Sequence, residues 1–278
     1  MARLQWIGHY DIVHKRARSR EFVQTGFMLT KQRKAYILKV LAEQGEVVAK
    51  AISEQLSLSE DTIRRDLREL AAQGKLQRVH GGALPASPAA GDFAVRQQLA
   101  PKGKVAVGRA AASLVRPGQV VILDGGTTTL QLAKHLPPDL RATVVTHSPT
   151  IAVALQEHPT IEVILIGGRL FKHSVVTVGA AAVEAISRIR ADIYFMGVTG
   201  IHPDAGLSTG DLEECHIKRA LSASAAETHV LVTAEKVNAA SPYVIATLKE
   251  IDGVIVERAV PARVIASYKR AGLSVVRA

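Results

Sequence analysis

The run from Ser59 to Gly82, Ser-Glu-Asp-Thr-Ile-Arg-Arg-Asp-Leu-Arg-Glu-Leu-Ala-Ala-Gln-Gly-Lys-Leu-Gln-Arg-Val-His-Gly-Gly, constrains this chain more than any other stretch. Turned at about 100 degrees per residue, Ile63, Leu67 and Leu70 fall within roughly 60 degrees of one another, the i, i+4, i+7 spacing of a core-facing stripe. Arg64, Arg65 and Arg68 fall on the opposite side, spread over about 100 degrees. A helix of this pattern folds with one face and presents three guanidinium groups on the other. Ser59 suits its N-cap, but Ser57 with Glu60 three residues on also fits a capping box, so two starts are open. Glu60 and Asp61 suit the positive end of the helix dipole.

Two amphipathic segments precede it. Ile37, Val40 and Leu41 predict a helix from about Lys31 to Glu43, closed by Gly45, and Val48, Ile52 and Leu56 predict a second from about Val47 to Leu56. The link from Leu56 to Glu60 is so short that the two apolar stripes must share a core, as in a helix-turn-helix whose second member enters a DNA major groove. Gly74 is placed to end the third helix in a left-handed conformation, Lys75 to Val79 alternates as a strand does, and His80-Gly81-Gly82 supplies turn residues. This is the pattern of a wing, with Lys75, Arg78 and His80 close to phosphates or a minor groove. The alternative is a winged helix used for protein contacts, with the arginines as a solvated face.

Thr62-Ile63-Arg64-Arg65-Asp66-Leu67, then Gly74, then Arg78-Val79-His80-Gly81-Gly82-Ala83, closely resembles the signature of the DeoR family of bacterial transcriptional regulators. The resemblance implies that Thr62, Arg64 and Arg65 are the chief groove-facing residues, with Asp66 orienting an arginine.

Charge agrees with a nucleic-acid partner. The formal charge is +10 over 278 residues, with +3 in residues 1–29 (five basic, two acidic) and +3 in residues 30–84 (ten basic, seven acidic). A hydrophobic content of 47% is ample for a sizeable core, and the length favours two domains. The single cysteine, Cys215, excludes an intramolecular disulfide, and its place beside Ile217 and Leu221 marks a buried thiol rather than a redox sensor. No apolar run approaches a membrane span, so the expected address is cytoplasmic, and the histidines show no metal-ligand spacing. No cofactor is expected.

Residues 1–29 fit poorly with the rest of the chain. They carry Trp6, Tyr10 and the basic run from His14 to Arg20, without the apolar core of a secretory signal. Residues 1–27 read as an N-terminal extension or a misplaced translation start, disordered or loosely helical, with weak phosphate contact as the functional alternative, and Met28 stands where chains resembling this one commonly begin. The expected organisation is this extension, a winged helix-turn-helix domain over 30–84, a Pro/Ala/Ser/Gly-rich linker over 85–102, and a second domain over 103–278. Phe93, Arg96 and Lys104 also resemble the family's interdomain segment.

In the second domain apolar runs at Val120 to Leu123, Thr143 to Val145, Val163 to Ile166, Ile193 to Met196, Val230 to Val232, Val254 to Val256 and Ser274 to Val276 alternate with helical stretches. That alternation predicts an α/β fold, a Rossmann-like, mostly parallel sheet covered on both faces, with ligands bound at the C-terminal strand ends. Asp124-Gly125-Gly126-Thr127-Thr128-Thr129 lies at such an end and opens a helix. Two glycines admit an anion to the backbone, three hydroxyls can donate to it, and the helix N-terminus favours negative charge. The loop is neither a Walker A sequence nor a GxGxxG fingerprint, so ATP and NAD are not indicated. A tight turn with a threonine cap is the plainer reading.

Thr146-His147-Ser148, Gly167-Gly168, Gly197-Val198-Thr199-Gly200, Gly206-Leu207-Ser208-Thr209 and Glu235-Lys236 border other strand candidates. Taken in order, these loops resemble the DeoR family's effector domain, related in fold to sugar-phosphate isomerases, and extend the resemblance over residues 30–278. It implies a repressor of a carbohydrate-utilisation operon, relieved by a phosphorylated sugar. Gly125 to Thr129 would then hold the phosphate, Lys236 would supply a cation, and Asp124 and His147 would read hydroxyls. Lys218 and Arg219 are expected to be solvated or intersubunit. The chain departs from the family where His147 replaces the usual Asn and Thr233 replaces an Asp three residues before the lysine. The rival reading is a sugar-phosphate isomerase-like enzyme with a base drawn from Asp124, Glu213, Glu214 or Lys236. Operators are commonly read by symmetric dimers, so a homo-oligomer is expected, with contacts through apolar effector-domain surface and the segment from Val254 to Val276.

Overall fold

Three helices and a small sheet make the first folded unit in a computed structural model that describes residues 28–278. The expectations for residues 1–27 lie outside the described residues. Helix α1 (Thr30–Gln44) ends at Gly45, whose φ of 80° provides the left-handed cap. Helix α2 (Ala49–Leu56) starts two residues later than the periodicity suggests, because Val47–Val48 forms a short strand, β1. Val47 is buried and Val48 faces solvent, and the two pair antiparallel with Ala83 and Gly82, which fixes them as a strand. Ser57 adopts a left-handed conformation (φ 52°) as the C-cap of α2. Ser59 is therefore the N-cap of α3 (Glu60–Ala72), its hydroxyl accepting from the Thr62 amide at 3.3 Å.

Ile63, Leu67 and Leu70 of α3 pack with Ile37 and Leu41 of α1, Ile52 of α2, and Val47, Leu76 and Ala83. Strands β2 (Gln77–Val79) and β3 (Gly82–Leu84) form the hairpin, with β3 in the centre between β1 and β2. The turn is narrower than His80-Gly81-Gly82 suggests: Gly81 takes φ 79°, and Gly82 already belongs to β3. Gly82 has its own requirement, since a Cβ there would stand 1.8 Å from the Val47 carbonyl oxygen. One glycine supplies the turn and the next lets β1 approach.

Residues 85–102, expected to be a linker, are docked chain. The Pro85 carbonyl accepts from the Ala240 amide at 3.1 Å, Ser87 Oγ donates to the Thr199 carbonyl at 2.5 Å, and the Phe93 amide donates to the His173 carbonyl at 2.9 Å. Helix α4 (Phe93–Gln98), capped by Asp92, and helix α5 (Pro101–Ala112) follow.

The second unit is built on a seven-stranded sheet of β4 (Val120–Leu123), β5 (Thr143–Thr146), β6 (Glu162–Leu165), β9 (Ala191–Gly197), β12 (Ala225–Val232), β14 (Gly253–Val256) and β15 (Ser274–Arg277). Its spatial order is β15-β14-β12-β9-β4-β5-β6, and every pairing is parallel. All seven correspond to the predicted apolar runs; the five inner strands are covered on both faces, which reads as a continuous run rather than an alternation, while β6 and β15 are edges with exposed residues. Val230, Val232 and Tyr194 contribute to one apolar layer, and Val121, Leu123, Phe195 and Leu231 to the other. The chain leaves β4 toward β5 and β6 and returns on the other side as β9, so the switch of direction lies between β4 and β9.

Between these strands lie α6 (Thr127–Lys134), α7 (Pro149–Leu155), α8 (Ala180–Ser187), α9 (Leu212–Ala223) and α10 (Ala262–Arg270). The hairpin β7 (Arg169–Phe171) and β8 (Val176–Val178), and the antiparallel sheet of β10 (Gly200–His202), β11 (Gly206–Thr209) and β13 (Tyr243–Ala246), complete the fold. Within the segment expected at an interface, Val254, Ile255 and Val256 are fully buried, while Arg258, Arg263, Lys269 and Arg270 are exposed. Exposed apolar side chains lie instead at the opposite sheet edge and the elements that come after it in sequence, at Ile164, Leu165 and Leu170. No helix of the described residues is long and apolar enough to cross a membrane.

Candidate functional site

Helix α3 presents Arg64, Arg65 and Arg68 to solvent, and Lys75, Arg78 and His80 are exposed on the approach to the hairpin, its first strand and its turn. Thr62 is half-buried, its hydroxyl 2.9 Å from that of Ser59 at the start of the helix. Arg64 donates to Glu60 Oε1 at 2.7 Å through Nη2 and 3.1 Å through Nε, an exposed pair one helical turn long. Asp66 does orient an arginine, but the partner is Arg33 of α1 rather than a neighbour on α3. Arg33 Nη2 donates to Asp66 Oδ1 at 3.1 Å and Arg33 Nε donates to Oδ2, with the Asp66 side chain almost sealed from water. This bidentate pair fixes the rotation of α3 about its axis and so the direction of its exposed arginines.

At the switch between β4 and β9 lies a narrow cleft that opens to solvent. Its floor is the predicted loop: Gly125, Gly126, Thr127, Thr128 and Thr129 all line it. Gly125 has no room for a side chain, since a Cβ would meet Val176 Cγ1 at 2.1 Å, and Gly126 takes φ 122° as the N-cap of α6. With glycine at that position α6 has no side-chain cap, so the first amides of the helix, at residues that line the cleft, are left without an intrahelical acceptor. Thr128 Oγ1 and Thr129 Oγ1 are buried without a hydrogen-bond partner among the described residues. Donors left open inside a protein are costly unless something fills the site.

Lys236 lines the cleft, carried by a one-turn helix after β12. Burial is the main influence on its ammonium and lowers its pKa to about 8 against the opposing pull of Glu235. Three further cations line the same space: Arg96 of α4, Lys104 of α5 and Lys218 of α9. Burial also lowers the pKa values of Arg96 and Lys104. Glu214 and Glu235 supply carboxylates, and Glu235 accepts from Thr233 Oγ1 at 2.6 Å. Local spacing gives no sign of Arg96, Lys104 or Lys218, because each comes from a different helix; the only hint is the resemblance of Arg96 and Lys104 to an interdomain segment.

Asp124 and His147 stand elsewhere than expected. Both are fully buried beneath the loop. Asp124 Oδ2 accepts from the Gly197 amide at 2.7 Å and from Lys218 Nζ at 2.5 Å, while Oδ1 accepts from the Gly125 amide at 2.8 Å and faces His147 Nε2 at 2.9 Å. His147 Nδ1 faces the Thr177 carbonyl at 3.0 Å. Their polar atoms are thus committed within the protein, and neither can read a ligand hydroxyl. Burial alone would raise the Asp124 pKa, but Lys218 and His147 outweigh it and hold the carboxylate well below the usual range. Lys218, expected to be solvated or intersubunit, is buried in this network. Arg219 is exposed and donates from Nε to the Ile245 carbonyl at 2.7 Å. Cys215 is buried, its thiol 3.2 Å from the Val244 carbonyl oxygen.

A guanidinium-bearing helix with a wing, joined to a cation-lined cleft at a parallel-sheet switch point, defines a two-part regulator. The sequence matches the DeoR-like helix-turn-helix domain over residues 33–88 and the DeoR C terminal sensor domain over residues 100–258. The HTH-type transcriptional regulator GlpR of Haloferax volcanii is 32% identical over 90% of this chain and 98% of that protein. The HTH-type transcriptional repressor GlcR of Bacillus subtilis is 33% identical over 83% of this chain and 90% of that one. The glycerol-3-phosphate regulon repressor of Escherichia coli is 30% identical over 84% and 93%. The chain belongs to the DeoR family of transcriptional regulators. A solved ribose 5-phosphate isomerase from Methanocaldococcus jannaschii overlaps 48% of this chain and 53% of that one at 18% identity and a TM-score of 0.36, a likeness that bears no functional weight.

Proposed function

We propose that the protein is a transcriptional repressor that reads an operator with Arg64, Arg65 and Arg68 of α3 and with Lys75, Arg78 and His80 at the wing, and that leaves DNA when a phosphorylated sugar enters the cleft. The observation that carries the effector half is the coincidence of unpartnered, buried Thr128 and Thr129 hydroxyls with the uncapped start of α6 and four surrounding cations. A phosphate dianion satisfies the amides, the hydroxyls and the excess positive charge together. Glu235, steered by Thr233, and Glu214 are the acceptors available to sugar hydroxyls, in place of Asp124 and His147. Relatives named as repressors, one of them of a glycerol-3-phosphate regulon, support the same reading.

Catalysis is not required by the arrangement. Asp124 is sealed and ion-paired, which removes it as a base that could reach a substrate carbon. The test begins with genomic fragments selected by the full-length protein, challenged with individual phosphorylated sugars in a gel-shift assay. One of them should release the DNA, and Thr128→Ala with Thr129→Ala should keep DNA binding while losing release. Normal release by that double variant would remove the β4–α6 loop from the mechanism.

A further inference from the structure

The segment that joins the two folded units contributes side chains to the effector cleft. Ala89 and Arg96 lie on its walls beside Thr128 and Thr129. Arg96 Nη2 donates to Ser174 Oγ at 3.0 Å, while Arg96 Nε is sealed from solvent with no partner among the described residues. Lys104 Nζ donates to the Arg96 carbonyl and so ties the end of α4 to α5. Helix α4 itself packs against α6, whose threonine hydroxyls are also open. Two sets of buried, unsatisfied donors therefore share one cavity, one set from the sensor sheet and one from the joining segment.

The same segment has no slack toward the DNA-reading unit. Strand β3 of the wing ends at Leu84, and the very next residue, Pro85, is bonded through its carbonyl to Ala240. Ser87 then bonds Thr199, another residue of the cleft, and Phe93 bonds His173. A rearrangement of the segment has only the hinge between Leu84 and Pro85 in which to be absorbed before it reaches the hairpin that carries Arg78 and His80.

We propose that Arg96 is itself an effector ligand, joining Thr128 and Thr129 around the anion, so that filling the cleft fixes the joining segment and through it the wing. The inference rests on the anion-sensor reading and extends it by naming the element that senses occupancy and the route by which the signal leaves the cleft. It requires a ligand with a tetrahedral anionic group, since Arg96 offers planar, charge-assisted donors and the helix offers amides. Coupling of this kind needs the ligand to interact differently with two arrangements of one element, and the joining segment is the element both sites touch.

The experiment titrates inorganic phosphate into the full-length chain by calorimetry and follows amide hydrogen exchange in parallel. Arg96→Ala should weaken phosphate binding by about tenfold or more, as expected for loss of a charge-assisted donor, while Arg141→Ala, at an exposed site, leaves it unchanged. In the wild type phosphate should slow exchange at the Phe93 and Arg96 amides and in the wing hairpin, and in Arg96→Ala it should slow exchange only at the start of α6. Equal phosphate affinity in the wild type and Arg96→Ala, or protection confined to α6 in both, overturns the inference and leaves the anion-sensor reading standing. A wild-type chain that takes up no phosphate overturns both. Should Arg96→Ala fail to fold, Arg96→Lys carries the same test, because it keeps the charge and stem but loses the guanidinium fork; unchanged affinity and unchanged exchange there count against the proposal.

Discussion

Asp124 at the end of β4 accepts a 2.5 Å hydrogen bond from Lys218 of α9, and both side chains are withdrawn from solvent. The pair ties the floor of the cleft to a helix that forms its wall. Asp124→Asn leaves a buried ammonium without its counter-charge, and loss of one partner from such a pair costs about 3–5 kcal/mol. Chemical denaturation of the full-length chain should show that loss. Adding Lys218→Met should recover part of it, and strict additivity of the two substitutions would refute the coupling. Since the folded-state pKa of Asp124 is depressed, its contribution is present above the unfolded carboxylate value of about 3.9 and is lost as pH falls below it.

Arg33 and Asp66 bear the same relation in the DNA-reading unit. Arg33→Ala strands a buried carboxylate between α1 and α3 and should destabilise that unit by about 2–3 kcal/mol, with operator binding lost as α3 rotates or frays. Arg33→Ala with Asp66→Asn should be milder than Arg33→Ala alone. Thermal melts with gel-shift titrations read both effects.

Arg65 is exposed on α3, so its removal should leave the melting curve unchanged within the scatter of surface substitutions. Arg65→Ala should weaken operator binding by about 1–3 kcal/mol if the guanidinium reads a base edge. A uniform loss across DNA sequences with a shallower salt dependence would place it on a phosphate instead. Unchanged affinity would count against the groove assignment.

Lys236, with a pKa lowered to about 8, should set an alkaline limit on effector affinity if it meets the ligand as proposed. The protonated amine attracts a phosphate ester and the neutral one does not, so affinity should fall as pH rises through about 8. It should also fall below about pH 6, where the ester loses its second charge. Calorimetry across this range in buffers of different ionisation enthalpy should detect proton uptake on the alkaline side. Lys236→Met should lower affinity throughout and abolish that uptake; an unaltered alkaline limb in the variant would assign it to another group.

The elements that carry function are legible in the sequence to different degrees. The core stripe and arginine face of α3 follow from helical period alone, and the seven apolar runs match the seven strands of the main sheet. Strands β7, β8, β10, β11 and β13 leave no comparable mark, because they lie outside the parallel sheet and are stabilised by antiparallel partners distant in sequence or across a short turn. Strand β1 reads as the start of α2 because Val47 and Val48 suit either element, and only pairing with Gly82 and Ala83 decides between them.

Local order in the chain is enough to establish that a winged helix precedes a parallel-sheet domain, and that glycines and hydroxyls gather in the loop after β4, because periodicity and turn chemistry act over a few residues. Which way a side chain faces is settled by packing across the fold. That is why Asp124 and His147 turn inward to Lys218 and Thr177, why Asp66 finds Arg33, and why three cations on three helices converge beside Lys236. A buried charge takes whatever partner the assembled tertiary structure brings within reach, and sequence distance carries no record of that meeting.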